Sequence, residues 1–316
     1  MRVLITDNVH PVMAERLSAA GVECDIRTDL DYGSLLACVN DYDGIVVRSK
    51  IVVDQAFIDH CSRLRCIGRV GAGMETIDVD YAEAHGIRCL NSPEGNRDAV
   101  GEHTLGLLLA LYDKLAVADR EVRQGLWQRE VNRGREIKGK TVGIIGFGNM
   151  GGAFARRLQG FDCDVVAYDL LGSAALGFAQ APQVEPISLE SLQRRADILS
   201  LHVPLTPLTN HMVDERFLAS FAKPICLINT SRGAVVDTDA LVAAMRQGRV
   251  EGAALDVLEY EDMTKDGLGS DSCPEALRYL RESPATVLTP HVAGWTVESK
   301  YKLADCLAVK IIQMLC

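Results

Sequence analysis

The sequence predicts an α/β protein made of two doubly wound parallel-sheet (Rossmann-like) domains, one inserted into the other. Three observations carry that expectation. Short apolar strands alternate with helical stretches along most of the 316 residues, the pattern of a parallel sheet covered by helices. A glycine-rich turn, Gly146-Phe147-Gly148-Asn149-Met150-Gly151, follows an apolar run and opens a helix, but only near mid-chain. The chain is also long for one core, since a domain takes ~150 residues.

From residue 2 to about 96 the strands VLIT, ECDIR, GIVVR, CIGRV and IRCLN are separated by helices such as PVMAERLSAAG and VDYAEAHG. A long apolar helix from about Asp98 to Gln124, stopped by Gly125, comes next. Six further strands, TVGIIG, DVVAYD, DILSLHV, ICLINT, GAALDV and TVLTP, complete a doubly wound sheet. DMTKDGLGSDSC, residues 262–273, reads as a loop, and a helix with Glu298 near its start follows. Because the glycine turn lies mid-chain, a nucleotide domain (98–288) is expected to interrupt a substrate domain formed by 1–97 and 289–316. Crossings near 97–100 and 288–292 would hinge over a cleft, and no regulatory module is expected after the last helix.

Composition narrows the partners. Hydrophobic content of 48% and charged content of 24% describe a globular protein. A formal net charge of −10 gives no overall basic field for nucleic acid or an anionic membrane, so an anionic ligand must meet local arginines. The longest clean apolar run, LGLLLALY, falls short of the ~20 residues of a membrane span. Asp7 and Glu15 come before a secretory core could build up. Ten cysteines are scattered without a CxxC pair or metal-like spacing, which implies reduced, mostly buried thiols, a cytoplasmic protein and no metal. Cys316 is expected to be exposed and oxidisable.

The glycine turn has a specific chemistry. With Val142 to Ile145 as a buried strand and Gly151 to Gly160 as a helix, Gly146 makes the tight turn. Gly148, with Asn149 and Met150 beside it in the cofactor-binding turn, then lets backbone N–H groups reach a pyrophosphate, which the helix N-terminus faces. Asp169, closing the next strand, can accept hydrogen bonds from the adenosine ribose. The following Leu170-Leu171-Gly172-Ser173 offers no arginine for a 2′-phosphate, so NAD is expected over NADP.

A nicotinamide enzyme acting on a hydroxyl also needs a proton acceptor and a cation. Arg232 follows the ICLINT strand and can grip a carboxylate with two parallel hydrogen bonds. GAALDVLEYED carries Asp256, Glu259 and Glu261 after the next strand, and His291 emerges behind Pro290 from TVLTP. A histidine suits proton transfer in either direction, and a carboxylate beside it fixes the ring and favours the imidazolium. Which acid does so is open at this point.

These blocks, with VVRSK (46–50), RVGAGMETIDVDYAEAHGI, NSPEGNRDAVGEHTLGLLLAL and ADILSLHVPLTPLTNHM, resemble the D-isomer-specific 2-hydroxyacid dehydrogenase family. That family includes phosphoglycerate dehydrogenases and glycerate/hydroxypyruvate reductases. The resemblance runs from residue 46 to the last helix, while the first 40 residues match only in style. It implies NAD-dependent hydride transfer on a D-2-hydroxy or 2-oxo acid, with 3-phosphoglycerate foremost and glycerate or hydroxypyruvate as the alternative. Arg232 would polarise the substrate carbonyl and His291 would be the acid/base. Glu261 would be its carboxylate partner, because the family's glutamate sits five residues after the aspartate, here Asp256. Gly71, Ala72 and Gly73 would lie against the substrate carboxylate, and Thr230, Ser231, Asp256 and Gly294 near the nicotinamide. His202 and Pro204 would line the cofactor cleft, whereas His103 reads as structural.

By the same resemblance Arg48 and Arg129, with Lys50 close by, would face a substrate phosphate. The long helix, more apolar than one buried face requires, would pack against its copy in a homodimer and bring Arg129 toward the partner's cleft. Two departures stand out. Asp262 replaces the family's proline after the glutamate, and Ala293-Gly294-Trp295 replaces the glycine pair after the histidine, so the indole is expected to reshape the pocket wall. Some relatives in this family are NAD-sensing corepressors, a role disfavoured by the lack of an added interaction tail or basic region.

Overall fold

A computed structural model describes residues 1–262, 267–268 and 274–315. The chain divides into two compact units, Met1–Arg97 with Trp295–Cys316, and Asp98–Gly294.

The first unit holds five parallel strands, β1 (Arg2–Ile5), β2 (Glu23–Ile26), β3 (Gly44–Val47), β4 (Cys66–Arg69) and β5 (Arg88–Asn91), in the order β2-β1-β3-β4-β5. β3 is buried throughout, and β1 and β4 nearly so; strands covered on both faces read as unbroken apolar runs. Leu4, Ile45 and Ile67 pack on one face with Phe57 and Ile58. Val3, Ile5, Val46 and Cys66 pack on the other with Met13, Leu17, Leu303, Leu307 and Ile311. The helix Val297–Leu315 thus completes a core begun by the first residues of the chain. At Gly68 a Cβ would lie 3.0 Å from Ile311 Cδ1, so the helix sits directly on the strand. Asp31, Asp54 and Asp78 cap three helices of this unit by accepting backbone N–H bonds from Ser34, Phe57 and Tyr81.

The second unit holds a seven-stranded parallel sheet. Its strands are β6 (Thr141–Ile145), β7 (Asp164–Tyr168), β8 (Glu185–Pro186), β9 (Ile198–Leu201), β10 (Ile225–Asn229), β11 (Val250–Leu255) and, after the short β12 (Glu261–Asp262) and β13 (Gly267–Leu268), β14 (Thr286–Leu288). The order is β14-β11-β10-β9-β6-β7-β8. All six strands expected from the sequence are present. The seventh, β8, is a two-residue edge strand ending on proline, too short to leave a periodic signal. Within the stretch read as a loop, β12 and β13 pair antiparallel; residues 263–266 and 269–273 lie outside the described residues.

Four further expectations need adjustment. The long helix is two helices, Arg97–Tyr112 and Leu115–Arg123, separated at Lys114, whose φ is 53°. The break is made by distant chain: Arg135 N–H donates to the Tyr112 carbonyl, and the α-carbon of Gly134 packs where an added Cβ would stand 3.0 Å from Asp113. The first helix packs on the fingerprint helix Asn149–Arg157, where Gly101 faces the Ala153 backbone and Asp98 pairs with Arg156 and Arg157. The second helix buries no residue.

The second unit also extends to Gly294 rather than 288, because the Asp256 carboxylate binds the backbone N–H groups of Val292 and Ala293 at 2.9 Å each. The helix expected from Gly151 begins at Asn149 and ends in a 3-10 turn, Leu158–Gly160. Finally, of the eight described cysteines only Cys66 and Cys226 are buried and the other six are half-buried; Cys24 and Cys89 lie on the edge strands β2 and β5, which only one neighbour covers. Cys273 and Cys316 lie outside the described residues. No described helix is long and apolar enough to cross a membrane.

Candidate active site

The three glycines of the turn after β6 answer three different steric demands. Gly146 has φ +86°, and a Cβ there would meet the His202 carbonyl oxygen at 2.5 Å, so only glycine makes this turn. At Gly151 a Cβ would run into the Gly146 carbonyl, which locks the helix against the turn. At Gly148, the residue preceding the helix, a Cβ would meet nothing within 4 Å. Its bare backbone opens on space at a helix N-terminus, where N–H groups and the helix dipole favour an anion.

Asp169 stands beside this turn and does more than the sequence implied. Its Oδ2 accepts from Phe147 N–H at 2.7 Å and its Oδ1 from Leu171 N–H at 2.9 Å. The carboxylate therefore fixes the glycine loop, and each oxygen keeps a further lone pair for a ribose hydroxyl. His202 lies at the end of β9 with Nε2 2.8 Å from the Ser200 hydroxyl. Its Nδ1 is buried without a partner among the described residues, and burial drives its pKa down to about 3, so the ring is neutral. Pro204 is exposed, and its carbonyl accepts from Thr209. The cradle at Gly148, the remaining lone pairs of Asp169 and the unpaired His202 Nδ1 fit a dinucleotide.

The chemistry-bearing residues follow three adjacent parallel strands of this unit. Arg232 comes after β10, Asp256 and Glu261 after β11, and His291 after β14; their loops therefore leave the same, carboxyl edge of the sheet, where α/β folds place ligands. His291 Nδ1 is 3.0 Å from Glu261 Oε2. Its Nε2 has no partner among the described residues, which leaves one nitrogen held and one available. The sequence left Glu259 as a rival, but that side chain is committed elsewhere: it lies 2.7 Å from His211 Nε2 and accepts from Thr238 N–H at the start of a helix.

His291 itself has φ +53°, a left-handed conformation that few residues other than glycine adopt. Its N–H donates to the Asp256 carbonyl at 2.7 Å. The Asp256 carboxylate accepts from Thr289 Oγ1 at 2.6 Å and from the N–H groups of Val292 and Ala293, and His103 Nε2 lies 3.4 Å away. Burial opposes its charge, but the hydrogen bonds from His103, Thr289, Ala293 and Val292 outweigh burial and hold its carboxyl below the usual range. Asp256 is therefore the brace of the His291 loop, and His103 belongs to that brace. No local pattern in the sequence marked this linkage, since the partners of Asp256 come from two distant segments.

Thr230 and Ser231 turn inward: Thr230 Oγ1 meets Thr104 Oγ1 at 3.2 Å, and the Ser231 hydroxyl donates to Asn229. Arg232 Nη1 donates to the Ser231 carbonyl at 2.6 Å, which orients the guanidinium. Gly294 ends this unit, and Arg129 is exposed without an ion pair among the described residues.

Arg48, Gly71, Ala72 and Gly73 belong to the first unit, following β3 and β4. Gly71 has φ +153°, and its missing Cβ leaves room for the Arg69 guanidinium, a neighbour the sequence reading did not single out. The carbonyls of Gly71 and Ala72 accept from Ser92 N–H and Asn91 Nδ2. The three loop N–H groups have no acceptor among the described residues. Lys50 donates to the Thr28 carbonyl at 3.0 Å.

Residues 105–293 match the family model described as D-isomer specific 2-hydroxyacid dehydrogenase, NAD binding domain. The chain belongs to the D-isomer-specific 2-hydroxyacid dehydrogenase family. Relatives in this dehydrogenase family include a D-3-phosphoglycerate dehydrogenase of Archaeoglobus fulgidus, 32% identical over 99% of this chain and 57% of its own length. A glyoxylate reductase of Thermofilum pendens is 35% identical over 89% of this chain and 80% of its own. The solved D-lactate dehydrogenase of Aquifex aeolicus, complexed with NAD and lactic acid, superposes with a TM-score of 0.82 at 26% identity, covering 98% of this chain and 94% of that one. The chain thus spans little more than half the length of the phosphoglycerate dehydrogenase it matches.

Proposed function

We propose that this protein is an NAD-dependent D-2-hydroxyacid dehydrogenase. The observation that carries the reading is the His291–Glu261 pair, which fixes Nδ1 as the donor to a carboxylate and leaves the Nε2 lone pair to take a proton. NAD, when bound, accepts the hydride from the substrate carbon. His291 Nε2 removes the hydroxyl proton as the carbonyl forms, and Glu261 stabilises the imidazolium that results. Arg232 holds the carboxylate and polarises the oxygen. Gly71, Ala72 and Gly73 offer backbone N–H groups to the acid end, and Asp169 would favour NAD by accepting from a ribose hydroxyl.

Two substrates compete. Arg48 and Arg129 carry no ion pair among the described residues, which favours a phosphorylated acid such as 3-phosphoglycerate. Lys50 is tethered through one of its three donors to the Thr28 carbonyl, and glycerate or hydroxypyruvate is the alternative substrate. A spectrophotometric screen of D- and L-2-hydroxy acids with NAD at alkaline pH tests the reading. NADH formation with D-acids supports it, and turnover of L-acids alone refutes it.

A further inference from the structure

Trp295 directly follows Gly294, and its indole is 67% exposed. Over that ring, 5.1 Å from its centroid, lies the guanidinium carbon of Arg48, within the ~6 Å range of a cation–π contact. Both residues belong to the first unit. The Arg48 backbone is anchored by its N–H on Asp7 Oδ2 at 2.9 Å, so the side chain starts from a fixed point at the end of β3. Among the described residues no carboxylate or carbonyl pairs with this guanidinium. Other arginines of the same unit are tied down: Arg2 pairs with Asp25, Arg16 with Asp305 and Arg63 with Asp43. Arg48 is thus half-buried, stacked on one face and unpaired along its hydrogen-bonding edge.

We propose that Trp295 is a positioning residue that, through Arg48, sets the affinity of the site for the anionic end of its substrate. The indole shields one guanidinium face from water and holds the plane, so the in-plane N–H donors meet an oxyanion without first being ordered. A guanidinium held in this way grips a carboxylate or a phosphate with two parallel hydrogen bonds. The inference rests on the dehydrogenase reading above, in which Arg48 meets the substrate.

The test compares Trp295→Leu, Trp295→Phe and Arg48→Gln in the full chain. Because the indole is exposed, its loss should leave thermal unfolding unchanged. Trp295→Leu should raise KM for the acid about two- to tenfold, the range of a partly solvated cation–π contact, with kcat unchanged. Trp295→Phe should restore most of the affinity, and Arg48→Gln should raise KM further. An effect seen with both 3-phosphoglycerate and glycerate assigns the clamp to the carboxylate; an effect on the phosphorylated acid alone assigns it to the phosphate.

A KM unmoved by Trp295→Leu, or lost kcat at constant KM, overturns the proposal, as does an Arg48→Gln chain with wild-type KM. Should no acid be oxidised, the dehydrogenase reading fails by itself and fluorescence still decides the stack. In a Trp127→Phe background Trp295 is the sole tryptophan. Its emission should change saturably with inorganic phosphate or D-glycerate and stop doing so in Arg48→Gln. An emission indifferent to both anions refutes the role.

Discussion

His291 combines a left-handed backbone with a side chain tethered at one nitrogen, and both features depend on neighbouring acids. Replacing His291 with alanine should lower turnover about 10²- to 10⁴-fold, the contribution of a positioned acid–base group, while calorimetric NADH affinity stays near wild type; a tenth of wild-type rate retained would remove it from the proton path. Glu261→Gln should shift the pH–rate profile, since a neutral amide no longer favours the imidazolium. Glu259→Gln should instead cost stability through its helix N-terminus and leave the profile in place. Asp256→Asn probes the brace. The folded carboxyl titrates below its usual value, so its stabilisation is complete above the unfolded pKa of ~3.9 and fades as pH falls through the folded value. Urea midpoints should therefore separate wild type from Asp256→Asn at pH 7 and converge near the acid limb; a constant gap at all pH values would show that the charge contributes nothing.

At the scale of elements, the glycine turn after β6 separates fold from function. Gly151→Ala drives a methyl group into the Gly146 carbonyl and should lower the melting temperature, whereas Gly148→Ala projects into open space and should keep stability while weakening NAD binding. Equal loss of stability in the two would show that Gly148 serves packing alone. Asp169→Ser should narrow any preference for NAD over NADP by removing a charge that repels a 2′-phosphate, measured as the ratio of kcat/KM values.

The strands were legible in the sequence because a parallel strand buried on both faces is an apolar run cut off by glycine or a polar residue, as in TVGIIG and DILSLHV. The catalytic candidates were legible because such strands deliver their following loops to one edge. What escaped the sequence was set by chain arriving from far away. The helix break at Lys114 is imposed by Gly134 and Arg135, the Asp256 brace draws on His103 and Ala293, and the Arg48–Trp295 stack joins the two separate segments of the first unit. Periodicity reports a residue's own element and is silent on such encounters.

At the scale of the molecule, the second unit is one continuous segment with two apolar clusters of its own, flanking its sheet. Residues 98–294 expressed alone should fold cooperatively and bind NADH, whereas residues 1–97 alone, lacking Leu303, Leu307 and Ile311, should not hold a cooperative fold. Leu115, Val122, Leu126, Trp127 and Val131 are all exposed along the second helix and the chain after it. If they form the contact with a second copy, Val122→Lys should shift sedimentation from dimer to monomer; a wild-type chain that already sediments as a monomer would dismiss that contact.

The seat of the Val297–Leu315 helix on β4 carries a consequence for biosynthesis. A ribosome adds about 5–20 residues per second, so β1, β3 and β4 must wait on the order of ten seconds or more for the helix that covers Val3, Ile5 and Val46. During that interval the middle of the chain can fold while the earliest strands stand with one apolar face bare, and it is there that a nascent-chain chaperone would be expected to bind and, once Ile311 has emerged, to let go.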